Sequence, residues 1–225
     1  FLLHGGWKLI RAYLGPRPSE SAALWEQVIT NPPKVIAVDT ETVSLQDRTL
    51  VGIGVAINPQ DAFYVSVDHP EFSRILPLLR DPGITKIFHN APFDLRVLRE
   101  LNPGLLNLED TALMARLALK EATLESLSGW LGAEYQTENM GNVLDEYKVK
   151  TTLELPANKL AQKCCRDALA TFVIRDWLWP QTLQDYYKQE MKIVPMLERI
   201  SRRGIKLDQE RMAKLESAYT AELDI

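Results

Sequence analysis

The sequence predicts an α/β fold in which a mixed β-sheet is flanked by helices and followed by C-terminal helices. Three apolar runs rich in β-formers, at residues 34–39, 49–57 and 62–67, are typical of strands. Beyond residue 70 the pattern alternates between helix and strand, and from Asp110 onward helical spacing dominates. The chain of 225 residues, 46% hydrophobic and 25% charged, is long enough to bury a sizeable core.

The first three strands are expected to run antiparallel. N-P-Q-D at 58–61 favours a hairpin turn between the second and third strands. Gly52 and Gly54 occupy alternate positions of the second strand, which leaves one of its faces bare. We therefore expect another element to pack closely against that face.

The remaining elements follow from helical periodicity and from breaker residues. Pro92 suits the first turn of a helix, and Gly204 suits a C-terminal stop. The predicted helices are 21–29, 71–80, 92–101, 156–179, a helix ending at 202–204, and 205–225, with further strands at 84–88 and 105–108.

Composition limits the function classes. The formal net charge of -4 gives no general attraction to nucleic acid, so a nucleic-acid partner would need local basic patches or metal ions. Cys164 and Cys165 form neither a disulfide framework nor a zinc site, and we interpret them as packing thiols in a reducing, cytoplasmic compartment. No apolar stretch predicts a membrane span, and the opening residues do not resemble a signal peptide. The initial Phe suggests a piece of a longer protein.

Asp39 and Glu41 raise the first functional question. They follow a run of apolar residues, and in an extended chain their side chains project from the same face. Two carboxylates this close repel each other unless a cation lies between them. A solvated strand end is the simpler interpretation of this pair taken alone.

Further polar residues fall where an open sheet gathers functional groups. Asn90 ends a predicted strand, Asp94 lies in the first turn of the next helix, and Asp167 lies on a largely apolar helix. With Asp39 and Glu41 they would form a site for two divalent ions, Mg²⁺ or Mn²⁺, which prefer oxygen ligands. Two such ions suit phosphodiester cleavage.

These residues carry a family resemblance. D-T-E at 39–41, N-x-x-F-D at 90–94 and R-D-A at 166–168 resemble the three ordered motifs of the DEDD exonucleases. More narrowly, D-T-E-T-V-S-L resembles the proofreading domain of family A DNA polymerases, which are related to bacterial DNA polymerase I.

Three further segments extend the resemblance over most of residues 34–225. D-T-A-L-M-A at 110–115 and L-x-x-L-x-x-W-L-G at 124–132 are similar to that family. The segment 190–208 resembles the passage from exonuclease to polymerase domain. The resemblance implies an exonuclease domain at 1–185, with an N-terminal extension at 1–33, and a truncated start of the polymerase domain at 186–225.

The resemblance also implies a fold and an activity. The fold would be ribonuclease H-like, and the reaction would be proofreading, the metal-dependent 3'-to-5' removal of nucleotides from single-stranded DNA 3' ends. The partners would be DNA and the rest of a polymerase chain, in bacterial or phage replication, with an organelle as an alternative. The catalytic and metal-binding residues would be Asp39, Glu41, Asp94 and Asp167, and the substrate-binding residues would be Thr40, Leu45, Asn90, Phe93 and Lys163.

The third motif departs from the family pattern. The family has a Tyr four residues before the Asp of this motif, and a sister branch has a His five residues before it, where this chain has Lys163 and Gln162. Lys163 shares a helix face with Asp167, so we expect it to pair with Asp167, to contact a phosphate or to compete with a metal ion. Neighbouring carboxylates raise the pKa of a lysine, which argues against a base. We expect weakened catalysis.

Several alternatives stay open. The domain could be a catalytically silent scaffold of the polymerase, or a ribonuclease D-type RNA exonuclease. Asn90 and Asp110 could be helix caps, since both residue types are strong N-caps. His89 favours a packing role, and the basic run from Arg199 to Lys206 favours a solvated face. Phe93 and Leu45 are apolar enough to belong to the core.

Overall fold

The sheet has five strands and is mixed, as the sequence predicted. The computed structural model describes residues 21–99, 101 and 104–223, so the first 20 residues of the predicted N-terminal extension lie outside the described residues. The strands are β1 (Val35–Thr42), β2 (Leu50–Ala56), β3 (Ala62–Ser66), β4 (Thr85–Phe88) and β5 (Leu108–Asp110), in the order β3-β2-β1-β4-β5. The first three pair antiparallel, whereas β1, β4 and β5 pair parallel.

Ten α-helices are described. They are α1 (Ser21–Thr30), α2 (Leu76–Arg80), α3 (Ala91–Leu98), α4 (Thr111–Leu117), α5 (Leu124–Gly129), α6 (Met140–Tyr147), α7 (Ala157–Leu178), α8 (Gln184–Met191), α9 (Val194–Arg203) and α10 (Gln209–Leu223). Short 3₁₀ turns lie at Phe72–Ile75, Thr152–Glu154 and Trp179–Gln181. Across the described residues, none of the helices has the length and apolar character that a bilayer crossing requires.

The two faces of β1 contact different helices, because alternate side chains point to opposite faces. Ile36 and Val38 belong to a large core that includes Leu95 and Leu98 of α3. Ala37 belongs to a second core, built with Cys164, Cys165, Ala168 and Leu169 of α7. The central strand therefore ends between α3 on one side and α7 on the other.

The bare face of β2 accepts α7, as predicted. A Cβ added at Gly54 would lie 2.8 Å from both the carbonyl oxygen and the sulfur of Cys164. Gly54 is the cross-strand partner of Asp39. The absent side chain thus brings α7 close to the functional end of β1. The predicted turn at 58–61 is also confirmed, since Asn58 Oδ1 accepts hydrogen bonds from Gln60 N and Asp61 N.

Some predicted boundaries were wrong. The strand expected at 105–108 begins only at Leu108, because Asn107 has a φ of 56° and interrupts the extended chain. The helix expected at 71–80 is a 3₁₀ turn followed by α2, and the helix expected at 92–101 is α3, which ends at Leu98. The predicted 156–179 helix is confirmed as α7.

The C-terminal segment also differs from its prediction. The helix expected to run to Gly204 is two helices, α8 and α9, with Pro195 in the first turn of α9. Gly204 does end α9, with a φ of 66°. The last helix begins at Gln209 rather than 205, and its residues are exposed throughout. The predicted domain boundary at 185/186 stays a prediction.

Candidate active site

The carboxyl end of β1 places two acids on the face that α7 covers. Asp39 and Glu41 share the face of Ala37, as their spacing predicted, and their pairing with β2 is regular up to a register shift between Glu41 and Thr42. Asp39 is half-buried, whereas Glu41 is only 5% exposed. A buried carboxylate requires a compensating charge or hydrogen bonds.

Helix α7 supplies both a third acid and a cation. Lys163 and Asp167 lie one turn apart, and Lys163 Nζ donates to Asp167 Oδ2 at 2.6 Å. The same ammonium lies 3.5 Å from Glu41 Oε1. Lys163 thus bridges Glu41 and Asp167, which confirms the expected pairing with Asp167 and extends it to β1.

The fourth acid comes from α3 on the opposite face of the strand. Thr40 Oγ1 donates to Asp94 Oδ1 at 2.7 Å, and both side chains are buried. Thr40 therefore holds Asp94 against the strand. The charge of Asp94 also raises the pKa of Asp39, but less than burial and the charges of Asp167 and Glu41 do. The structure brings together all four acids that the sequence predicted.

Burial dominates the electrostatics of this cluster. It raises the pKa of Asp39 well above its usual range, and the charges of Asp167 and Glu41 raise it further. Burial also raises the pKa of Glu41 to about 7 and that of Asp167 above its usual range, although Lys163 opposes both shifts. The pKa of Asp94 is raised to about 7, against the effect of its bond from Thr40. Burial lowers the pKa of Lys163, but Asp167, Glu41 and Asp39 outweigh it and the net shift is strongly upward.

Asp110 positions α3 in a way that sequence reasoning found only in part. As predicted, it caps its own helix α4, accepting from Ala112 N at 2.9 Å and from Leu113 N at 3.3 Å. It also accepts from Asn90 N and Ala91 N, each at 3.0 Å, so one carboxylate caps two helices. The side chain of Asn90 makes no capping bond, and Asn90 instead adopts a left-handed conformation with a φ of 67°. Asn90 is thus the N-cap residue of α3, one of the two roles left open for it, but its side chain forms no capping bond.

Tyr187, in the C-terminal segment, forms a hydrogen bond with Asp110. Tyr187 of α8 is 2% exposed and packs with Met114 and Leu178. Its hydroxyl accepts a hydrogen bond from Asp110 N at 2.7 Å. Helix α8 therefore packs on the core formed by α4 and α7.

Two residues predicted to contact substrate, Leu45 and Phe93, share a neighbour in Arg48. Leu45 is 74% exposed, which excludes the core role left open as an alternative for it, and Phe93 is half-buried. Arg48 lies over the Phe93 ring at 5.5 Å, and its Nε donates to the Leu45 carbonyl at 3.4 Å. Arg48 was missed by sequence reasoning. Its spacing of three residues from Leu45 in a loop gave little sign of this contact.

His89 is structural, as expected. Its ring nitrogens lie 2.8 Å from Thr111 Oγ1 and 3.0 Å from the carbonyl of Ala122. Burial lowers its pKa, which disfavours a charged ring. Arg199, Arg202 and Arg203 lie on an exposed face, as predicted.

Cys164 is the second residue near the acids that sequence reasoning missed. Its buried thiol donates to Asp39 Oδ2 at 3.2 Å. The sequence did place Cys164 three residues before Asp167, a spacing that puts two side chains on one helix face. The cysteine pair suggested core packing, and the core role is confirmed for both thiols.

Buried carboxylate oxygens without hydrogen bonds make the acid cluster suitable for a divalent cation. Asp167 Oδ1 and Glu41 Oε1 are buried and accept no hydrogen bond from the described residues, although Lys163 Nζ lies 3.5 Å from Glu41 Oε1. Orphaned carboxylate oxygens of this kind are costly unless a cation or a proton compensates them. Asp39, Glu41 and Cys164 also place one ligand atom each within 4.8 Å of one another.

Sequence comparison places these features among known proteins. Residues 17–182 match the family model described as 3'-5' exonuclease, of the DNA polymerase A type. The DNA polymerase I of Chloroflexus aurantiacus is 29% identical over 202 residues, which is 80% of this chain. The aligned region is 21% of that relative, so the chain spans about a fifth of its length.

Solved structures share the fold. Brucella melitensis NrnC bound to pGG has a TM-score of 0.65 and 18% identity, covering 88% of this chain and 95% of its own. Escherichia coli RNase D, an exoribonuclease involved in structured RNA processing, has a TM-score of 0.55 and 20% identity, covering 80% of this chain and 48% of its own. The fold is therefore that of the ribonuclease H-like exonucleases, as the resemblance implied.

Proposed function

The chain belongs to the 3'-5' exonuclease domain family of DNA polymerase A type, and from that premise we propose that it removes nucleotides from single-stranded DNA 3' ends in a metal-dependent reaction. The observation that supports this proposal is the grouping of four buried or half-buried acids at the end of β1, where Asp167 Oδ1 and Glu41 Oε1 are buried without a hydrogen bond among the described residues and one ammonium, that of Lys163, lies beside both side chains. Asp39, Glu41, Asp94 and Asp167 would hold Mg²⁺ or Mn²⁺. Such ions acidify water and stabilise the leaving oxygen in phosphodiester cleavage.

The chain's own residues would prepare the site for this chemistry. Thr40 fixes the orientation of Asp94, which lowers the pKa of that carboxyl and favours its ionised form. Leu45 and the ring of Phe93 offer an apolar surface for an unpaired terminal base. Arg48, stacked on Phe93, adds a positive charge beside a site that is otherwise acidic. Asn90 is exposed at the start of α3 and can also reach a bound strand.

Lys163 sets the level of activity in this proposal. Its raised pKa keeps it protonated, so it does not serve as a general base. Its ammonium bonds Asp167 and lies near Glu41, in competition with a divalent ion for the same oxygens. We therefore expect slow hydrolysis. This ion pair is also the observation that favours a second candidate, a silent scaffold domain.

We further propose that the chain works within a longer polymerase, as a proofreading domain in DNA replication. The relative from Chloroflexus aurantiacus is a DNA polymerase I, and the aligned region is a fifth of it. Helix α10 and the segment before it expose large apolar side chains that a following domain would cover, among them Ile205, Leu207, Tyr219 and Leu223. A likeness in fold to RNase D does not favour RNA over DNA.

Release of nucleotides from matched, labelled single-stranded DNA and RNA tests these proposals. Wild type, Asp39→Ala, Lys163→Tyr and the exposed-site control Asp185→Asn are compared in Mg²⁺, Mn²⁺ and EDTA. We expect wild type and Asp185→Asn to degrade DNA slowly with either ion, and Asp39→Ala to be inert. Faster degradation of RNA would instead support a ribonuclease. Activity that appears only in Lys163→Tyr would establish the scaffold, and activity in EDTA would exclude metal dependence.

A further inference from the structure

The thiol of Cys164 lies beside the acid cluster, although the carboxylates alone would bind the ions proposed for catalysis. Cys164 Sγ lies 3.2 Å from Asp39 Oδ2 and 3.6 Å from the Asp39 carbonyl oxygen. Its position follows from the bare glycine on β2, because a side chain at Gly54 would overlap the sulfur. The close approach of α7 to β2 therefore holds the sulfur beside the carboxylate.

The donor set is suited to a cation. The ligand atoms of Asp39, Glu41 and Cys164 lie within 4.8 Å of one another. Glu41 is 5% exposed, and its Oε1 accepts no hydrogen bond from any described residue. Two ligands of one tetrahedral ion stand at separations similar to the 3.2 Å between the Cys164 sulfur and the Asp39 oxygen. The half-exposed Asp39 gives the site its access to solvent.

Sulfur changes which ions such a site prefers. Carboxylates alone suit Mg²⁺ and Mn²⁺, whereas a thiolate favours softer ions such as Zn²⁺ and Cd²⁺. We propose that Asp39, Glu41 and Cys164 form a mixed oxygen–sulfur site that binds one thiophilic divalent cation. On binding, the sulfur–metal bond replaces the sulfur–hydrogen bond, and the proton passes to solvent.

This site overlaps the one proposed for catalysis, so a thiophilic ion competes with Mg²⁺ for Asp39 and Glu41. The inference rests on the proposed function only for that consequence. Lys163, at 3.5 Å from Glu41 Oε1, opposes the added positive charge. Removal of this ammonium is therefore expected to tighten the binding of Cd²⁺.

The test is a titration of the full chain with Cd²⁺, followed by the ultraviolet thiolate-to-cadmium charge-transfer band. Cys165→Ser is the matched control, because Cys165 is equally buried and its thiol forms no hydrogen bond with Asp39 in the described structure. Wild type and Cys165→Ser are expected to show the band and to saturate with a single ion. Cys164→Ser and Cys164→Ala are expected to lose the band and at least about tenfold in affinity. Circular dichroism establishes that each variant is folded.

Absence of the band in wild type, or its persistence in folded Cys164→Ala, would overturn the inference. Hydrolysis of DNA in Mg²⁺ is measured separately on the same preparations. Hydrolysis without the band would overturn the thiol site alone. The band without hydrolysis would overturn the proposed function and leave the thiol site established.

Discussion

Replacing Lys163 with Met removes one positive charge from the centre of the acid cluster and keeps most of the side-chain volume. The ammonium it removes lies 2.6 Å from Asp167 Oδ2 and 3.5 Å from Glu41 Oε1, and the lysine side chain is 11% exposed. Both partner carboxyls are buried and have raised pKa values even with the lysine present. The substitution therefore leaves two buried acids without their counter-charge.

The expected loss depends on pH. Near pH 8 the two carboxyls must either stay ionised without a partner or take up protons, and breaking a buried ion pair costs about 3–5 kcal/mol of unfolding free energy. Near pH 5 Glu41 is already protonated in the folded wild type, because its pKa is about 7. The loss there is expected to be smaller than at pH 8, because Glu41 no longer needs the counter-charge.

A divalent ion should reverse the loss. Mn²⁺ at a hundred times its dissociation constant adds about 2.7 kcal/mol to the stability of a protein that binds it only when folded. The gain is expected to be larger in Lys163→Met than in wild type, because the variant has no ammonium to oppose the ion. Urea unfolding of wild type and Lys163→Met at pH 5 and pH 8, each in EDTA and in Mn²⁺, measures the unfolding free energy under these four conditions.

The control is Lys159→Met, one turn earlier on the same helix, whose Nζ lies 3.1 Å from the exposed Glu138. An exposed pair contributes about 1 kcal/mol or less, so this variant should change little at either pH. An equal loss in Lys163→Met at pH 5 and pH 8 would refute the electrostatic reasoning and assign Lys163 a packing role. A loss at pH 8 that Mn²⁺ does not reverse would refute metal binding by these acids.

Three further predictions concern the same strand end. In EDTA, wild type should lose stability between pH 4 and pH 7 in urea unfolding, by about 4 kcal/mol from Asp94 alone, since the pKa of this carboxyl rises from 3.8 to about 7 on folding and the protonated form that folding favours is lost over that window; stability that rises over this window would contradict it. Thr40→Val should cost about 1–3 kcal/mol of unfolding free energy and shift the acidic limb of the pH–activity profile to higher pH, because the hydrogen bond that it removes lowers the pKa of Asp94 in wild type. An acidic limb at the wild-type pH would exclude a role of Thr40 in setting this pKa. Gly54→Ala should cost about 1–3 kcal/mol in thermal unfolding because its Cβ would meet Cys164, whereas Gly129→Ala, with nothing within 4 Å, should not destabilise; equal effects would contradict the close packing.

The sequence predicted the site well where local geometry determines it. Asp39 and Glu41 had to share a face because the strand period is two, and Lys163 had to face Asp167 because the helix spacing is four. Gly54 predicted that another element would pack closely against β2, although the sequence did not indicate that this element would be α7. These features depend on a few neighbouring residues, so a pattern suffices to predict them.

Features that depend on tertiary contacts were predicted incompletely. Asp110 was expected to cap one helix, but β5 carries it beside α3, where it also caps the helix of Asp94. Asn90 had two roles left open, helix cap and site residue, and nothing local indicated that its left-handed backbone would direct its N–H to Asp110. The Cys164 contact with Asp39 joins residues 125 positions apart. No local pattern in the sequence predicts these contacts between distant residues.

The hydrogen bond between Tyr187 and Asp110 connects helix α8 to the helix that carries Asp94. From the Tyr187 hydroxyl to the first turn of α3, which carries Asp94, the path is the Asp110 backbone, the Asp110 carboxylate and Ala91 N. Loss of the Tyr187 hydroxyl would therefore leave Asp110 N without this partner at the residue whose carboxylate caps α3, the helix of Asp94.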